Sequence, residues 1–213
     1  MASEDEEIFE RIDARQAAGR RVALATVIRT WGSAPRRAGS LMAVDEDGGF
    51  SGSVSGGCVE GEVVRAAREV CVAGQPRLLE FTVSDNDAWQ VGLACGGQIE
   101  VFVERLTSLA LAFWHAVAAQ ELAAAGATVI RGDAAWLGKK MLLNELGKTV
   151  GDDLPFALPQ LQQALITNQS FRQTLTPSPP SPSSSPSSAE LELFIESHSP
   201  APQLVCIGGG HIA

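Results

Sequence analysis

Residues 22–29 (Val22-Ala23-Leu24-Ala25-Thr26-Val27-Ile28-Arg29) form an apolar run that ends on a charge, which predicts a buried strand. Further on, the turn residues Asp45-Glu46-Asp47-Gly48-Gly49 separate two short apolar runs, 40–44 and 50–53, and predict a hairpin. Val59, Val63, Ala67 and Val70 recur at helical spacing and predict a helix over 60–72. Nearer the N-terminus, Ile8, Phe9 and Ile12 share a helical face. Ser3 and Glu6 are spaced as a capping box, and Gly19 is placed to end that helix. Strands are expected at 77–83 and 98–104, with Ile99, Val101 and Val103 on one face of the second. The most apolar predicted helix is 108–125. It is rich in alanine and holds His115, Gln120 and Glu121, so it does not read as a membrane span.

The second half returns the pattern of the first. Ala25-Thr26-Val27-Ile28-Arg29 reappears as Ala127-Thr128-Val129-Ile130-Arg131. Gly39, Met42, Gly48 and Gly52 correspond to Gly138, Met141, Gly147 and Gly151, and residues 100–104 correspond to 192–196. Self-similarity of this kind predicts a degenerate duplicated β-rich unit in an α/β fold of the α+β type. Its domain covers 1–200, with one repeat at about 20–105 and the other at about 126–197. The Ser/Pro-rich stretch 176–188 cannot build a core and is expected to be a mobile loop inside the second repeat. Residues 204–207 predict a short buried strand. Gly208-Gly209-Gly210-His211-Ile212-Ala213 then fits the G-x-G-x-x-A opening of a dinucleotide-binding turn. The phosphate-holding helix and the later acidic residue do not follow, so 201–213 reads as the start of a truncated Rossmann domain, and no NAD is expected to bind.

A formal net charge of −9 argues against a nucleic-acid partner engaged through a basic face. Four cysteines in 213 residues do not make a disulfide scaffold, and the acidic opening lacks the pattern of a signal peptide. A reducing, cytoplasmic setting is expected.

Two of those cysteines sit in glycine-flanked cassettes. Cys58 lies in Ser53-Val54-Ser55-Gly56-Gly57-Cys58-Val59-Glu60, and Cys95 in Gly92-Leu93-Ala94-Cys95-Gly96-Gly97. Glycine beside cysteine leaves the thiol on open backbone, whereas Cys71 between Val70 and Val72 reads as core filling. Cys58 falls where a glycine turn meets a predicted helix. There the helix dipole favours thiolate, and the amides of Gly56, Gly57 and Cys58 are placed to accept an anion. Glu60 and Glu62 in the first turn are expected to oppose that anion. Cys95, Gly96 and Gly97 precede a strand, and their loop can face the same pocket, which Trp89 can line. Ser33-Ala34-Pro35-Arg36-Arg37 adds guanidinium groups suited to phosphate on a turn after the first strand. The candidate site is therefore Cys58, Cys95, Gly56, Gly57, Gly96, Gly97, Arg36 and Ser33, fit for a phosphorylated, thiol-reactive or sulfur-bearing ligand. The plain alternatives are tight turns with buried thiols and a solvated arginine turn. A Cys58–Cys95 disulfide is a further alternative, unusual in a reducing compartment. No zinc quartet, catalytic triad, carboxylate pair or Walker loop is present, so no catalytic or metal-binding residue is assigned. His115 reads as a satisfied or surface histidine and His198 as a loop residue.

These cassettes, with Gly39-Ser40-Leu41-Met42, Leu193-Phe194-Ile195-Glu196 and the terminal glycine turn, resemble the XdhC/CoxI family across nearly the whole chain. Its members are accessory factors for xanthine dehydrogenase and related molybdenum hydroxylases. The resemblance implies a chaperone that binds molybdenum cofactor (molybdopterin) transiently, assists its sulfuration and passes it to an apo-hydroxylase. A cysteine desulfurase and a second copy of the chain are further candidate partners. A nucleotide-dependent oxidoreductase whose Rossmann half is missing, and an inactive truncated member, are the alternative readings.

Overall fold

The computed structural model describes residues 4–32, 36–83, 97–118, 122–176 and 190–199. Helix α1 (Glu4–Ala17) leads into β1 (Val22–Gly32), β2 (Leu41–Asp45), β3 (Phe50–Gly52), α2 (Glu60–Ala73), β4 (Arg77–Val83) and β5 (Gly97–Arg105). After α3 (Ser108–Ala118) come β6 (Ala124–Arg131), β7 (Lys140–Asn144), β8 (Thr149–Gly151), a 3-10 turn (Pro155–Ala157), α4 (Leu158–Thr167), β9 (Phe171–Leu175) and β10 (Leu191–His198). The strands form two five-stranded antiparallel sheets. The first is ordered β3-β2-β1-β5-β4 and the second β8-β7-β6-β10-β9. Register agrees as well as order. Thr26 lies opposite Leu41 and Phe102, and Thr128 lies opposite Lys140 and Phe194. Each central pair also slips at one place, between Val27 and Arg29 in β1 and between Leu193 and Glu192 in β10.

Antiparallel strands usually show one face to water, yet β1 and β6 are apolar runs because both of their faces are covered. Ala23, Ala25 and Val27 pack under Val63, Ala67 and Val70 of α2. Ala125, Ala127 and Val129 pack under Leu161 and Ala164 of α4. The alternate residues point inward, where Ile28 and Phe102 of one sheet meet Ile130 and Phe194 of the other. Helices α1 and α3 close one end of this seam with Ile8, Phe9, Phe113 and Trp114. The result is a sandwich of helix, sheet, sheet and helix.

The seam also holds charge. Glu104, Lys140 and Glu196 are each only 3% exposed. Lys140 Nζ lies 2.6 Å from Glu104 Oε1, donates to Thr128 Oγ1 at 3.1 Å, and sits over the rings of Phe113 and Trp114. Two buried carboxylates thus share one ammonium. Burial pushes Glu196 up to about 7 against the pull of Lys140, and Glu104 adds repulsion. Arg172 fastens the sheets nearer the surface, with 2.6 Å contacts to Glu100 of β5 and Glu192 of β10.

Two expectations change. The apolar helix predicted over 108–125 ends at Ala118, and Ala124 and Ala125 already belong to β6. Alanine-rich sequence supports either state locally, and here burial of both faces of β6 decides. His198 is the last residue of β10 instead of a loop residue, and burial alone holds its imidazole down at about 4. His115 is at the surface as expected, 3.1 Å from Asp13. Ser3, the Ser/Pro stretch beyond Thr176 and the expected Rossmann start at 201–213 lie outside the described residues. No helix among the described residues is long and apolar enough to cross a membrane.

Candidate functional site

The Cys58 cassette is the link between β3 and α2, and it is built around a carboxylate. Glu60, the first residue of α2, turns back and is only 9% exposed. Its Oε1 accepts Ser53 Oγ at 2.7 Å and the backbone N–H groups of Val54, Ser55 and Gly56 at 3.3, 2.9 and 3.0 Å. Its Oε2 accepts Gly57 N–H at 2.9 Å and a short hydrogen bond from Ser55 Oγ. Ser55 Oγ in turn accepts the N–H groups of Cys58 and Val59, both at 3.0 Å, and so fixes the backbone just ahead of the helix. Burial by itself would raise the Glu60 carboxyl. The hydroxyls of Ser53 and Ser55 and the Ser55 amide outweigh it and hold the group at about 2.

This corrects the electrostatic expectation. The amides of Gly56 and Gly57, expected to accept an outside anion, donate to Glu60 instead. Glu60, expected to repel a ligand, is the internal anion that shapes the turn. The glycines keep a second use. Gly56 and Gly57 adopt φ of 80° and 122°, and a Cβ on Gly57 would meet nothing within 4 Å. Backbone beside Cys58 is therefore open on that side, while the half-buried thiol rests against the core beneath α2.

The strand register gathers the other candidates. Gly52 pairs with Met42, Met42 with Ala25, and Gly32 with Gly97. β3 therefore leaves the sheet level with Ala25 and runs in the direction of the far end of β1, where Gly32 meets Gly97 at the start of β5. Gly97, last residue of the second cassette, sits there, and so does Trp31, 70% exposed. Arg36 lies half-buried in the β1–β2 connection. Ser33, Trp89, Cys95 and Gly96 lie outside the described residues. Cys71 behaves as core: it is fully buried, and burial, with Glu46 adding to it, pushes its thiol up to about 11. Native alkylation by iodoacetamide near pH 8, mapped by mass spectrometry, is therefore expected to mark Cys58 and to reach Cys71 only after unfolding. Equal labelling of both would contradict the described burial. Among the described residues, no cluster of three or more His, Cys, Asp or Glu side chains is arranged to hold a metal ion.

Sequence reasoning passed over Glu60 as a shaping group and did not single out Glu104, Lys140 or Glu196. A signal existed for the two glutamates of the seam. Glu104 and Glu196 keep phase with Phe102 and Phe194, which places them on an inward face.

A two-sheet sandwich with a glycine–cysteine turn at the head of its first outer helix is the class of protein these features define. Residues 15–82 match the family model described as the XdhC and CoxI family, which places this segment, Cys58 cassette included, in that family. The match is narrower than the nearly chain-long resemblance expected. The molybdenum cofactor insertion chaperone PaoD of Escherichia coli is 36% identical over 91 residues, covering 42% of this chain and 28% of that protein. A probable xanthine dehydrogenase subunit from Bacillus subtilis is 35% identical over 86 residues, covering 39% and 26%. The chain thus matches little more than a quarter of the length of these relatives. A crystal structure of a xanthine dehydrogenase from Bacillus halodurans shares the fold, with a TM-score of 0.59 at 18% identity over 94% of this chain and 53% of that one.

Proposed function

We propose that the chain is a non-catalytic carrier that binds molybdenum cofactor at the Cys58 turn, supports its sulfurated form and passes it to a xanthine dehydrogenase-type molybdenum hydroxylase in the cytoplasm. The observation that carries this reading is the Glu60-anchored turn. It holds a half-buried thiol beside open glycine backbone, inside the segment that matches the family. The name of the Escherichia coli relative supplies the cargo. In this reading Cys58 is a soft donor for the molybdenum–sulfur centre, and Cys95 serves as a second thiol. Gly57, Gly96 and Gly97 leave room for the pterin. Gly56 holds the turn, and Arg36 with Ser33 takes the phosphate. A cysteine desulfurase is the proposed sulfur source, and a second copy of the chain is a further proposed partner. The matched strand orders and slips support two copies of one unit, of which only the first carries the cassette.

Cys58→Ser is expected to weaken binding of molybdenum cofactor about tenfold or more while leaving the unfolding transition in place. The check is co-purified molybdenum and pterin, followed by transfer to an apo-hydroxylase. Cofactor retention unchanged in both Cys58→Ser and Cys95→Ser would remove the thiol role.

A further inference from the structure

A cleft of about 250 Å³ lies at the opposite end of α2 from Cys58, between the β5–α3 junction of the first sheet and the β6–β7 connection of the second. Helix α2 has 14 residues, so roughly 20 Å separates the two places. Lys140 and Glu104 form the floor of the cleft, and Arg105, Lys139 and Asp152 stand around it. The acidic groups are already committed. Glu104 faces the Lys140 ammonium at 2.6 Å, and Asp152 Oδ2 accepts the Lys140 backbone N–H at 2.8 Å. The half-buried cations are not. Neither Arg105 nor Lys139 has a carboxylate partner among the described residues. The Arg105 guanidinium lies over Gly74 at the carbonyl end of α2, and Lys139 Nζ sits 4.5 Å above the Trp136 ring, a contact that leaves its N–H donors unused. The chain carries 25 acidic against 16 basic residues, so carboxylates are in surplus. Two half-buried cations without one, on residues that line the same hollow, mark a place suited to an anion from outside.

We propose that this cleft is a phosphate site, distinct from the Cys58 turn and independent of the carrier reading. It takes a phosphate dianion, free or as the head of a small monoester. The Arg105 fork and the Lys139 ammonium hold its oxygens. Its volume is below the roughly 300–1,000 Å³ of pockets that enclose a whole drug-sized ligand, which suits a head group.

The test is calorimetric titration of the full chain with inorganic phosphate and, separately, with glycerol 3-phosphate. Saturable binding is expected. Arg105→Gln and Lys139→Gln should each weaken it about tenfold, and the double variant should abolish it. Arg105→Lys, which keeps charge but loses the fork, should fall between parent and Arg105→Gln, and it serves as the reading if the glutamine variant does not fold. Tighter binding of the monoester assigns the site to a phosphorylated small molecule, and equal binding assigns it to free phosphate. Cys58→Ser should leave both titrations unchanged, so failure of the carrier reading and failure of this one are separable. Absence of saturation by either probe, or binding that persists in a folded double variant, overturns the proposal.

Discussion

Lys140→Met is expected to destabilise the fold by about 3–5 kcal/mol at neutral pH, the cost typical of stripping a buried charge of its partner. The ammonium is the one cation beside Glu104 and Glu196 among the described residues, and all three groups are nearly closed off from water. Without it, both carboxylates must take up protons or remain uncompensated in the seam. The loss should therefore shrink as pH falls from about 8 toward 5, where protonation becomes easy. The parent carries a milder form of this dependence. Glu196 is raised in the folded state to about 7 from an ordinary 4.5, so the folded protein binds the extra proton between those values. Stability from this group is greatest below 4.5 and declines as pH rises to 7. His198 works the other way: it is held down at about 4, and it costs stability as pH drops below 6.5. Glu196→Gln should remove the first slope and leave the second, as read from urea unfolding across that range. Combining Lys140→Met with Glu104→Gln and Glu196→Gln should recover most of the loss. A Lys140→Met variant within about 1 kcal/mol of the parent at pH 8 would refute the shared-cation account.

Glu60→Gln should cost about 3 kcal/mol and loosen the Cys58 turn. The carboxylate accepts from four backbone amides and two hydroxyls. A glutamine offers one acceptor oxygen and turns an NH₂ donor toward groups that are themselves donors. The clearest readout is amide hydrogen exchange at Gly56 and Gly57, which should speed up while the amides of β1 keep their protection. Because Glu60 is held at about 2 in the folded state, its contribution is present above about 4.5 and lost as pH falls from 4.5 to 2. Unaltered exchange at both glycines would mean that the turn keeps its shape without the carboxylate.

Local pattern made most of the strands legible. The alternation Ile99, Val101, Val103 and the Asp-Gly-Gly turn at 47–49 each specify their structure within a few residues. The strand at 124–125 was not legible, because alanine leaves helix and strand close in local preference and only long-range pairing of Ala124 with His198 and Asn144 selects the strand. The placement of Cys58 ahead of a helix could be read from glycine next to helical periodicity. What fills the turn could not. A glutamate two positions after a cysteine repels an anion if it points outward and replaces one if it folds back, and the sequence is the same in both cases. The seam shows the same limit. Glu104 ends an inward-facing row, but its partner Lys140 comes from the other sheet, far along the chain.

The first sheet has Leu41 where the second has Lys140. Exchange of halves between two copies could in principle join like with like. Two first sheets face to face would bring glutamates together with no ammonium between them, whereas a first sheet meeting a second restores the native set. One substitution in an otherwise matched pair thus gives the sandwich polarity, and it directs any domain-swapped dimer toward pairing of unlike sheets.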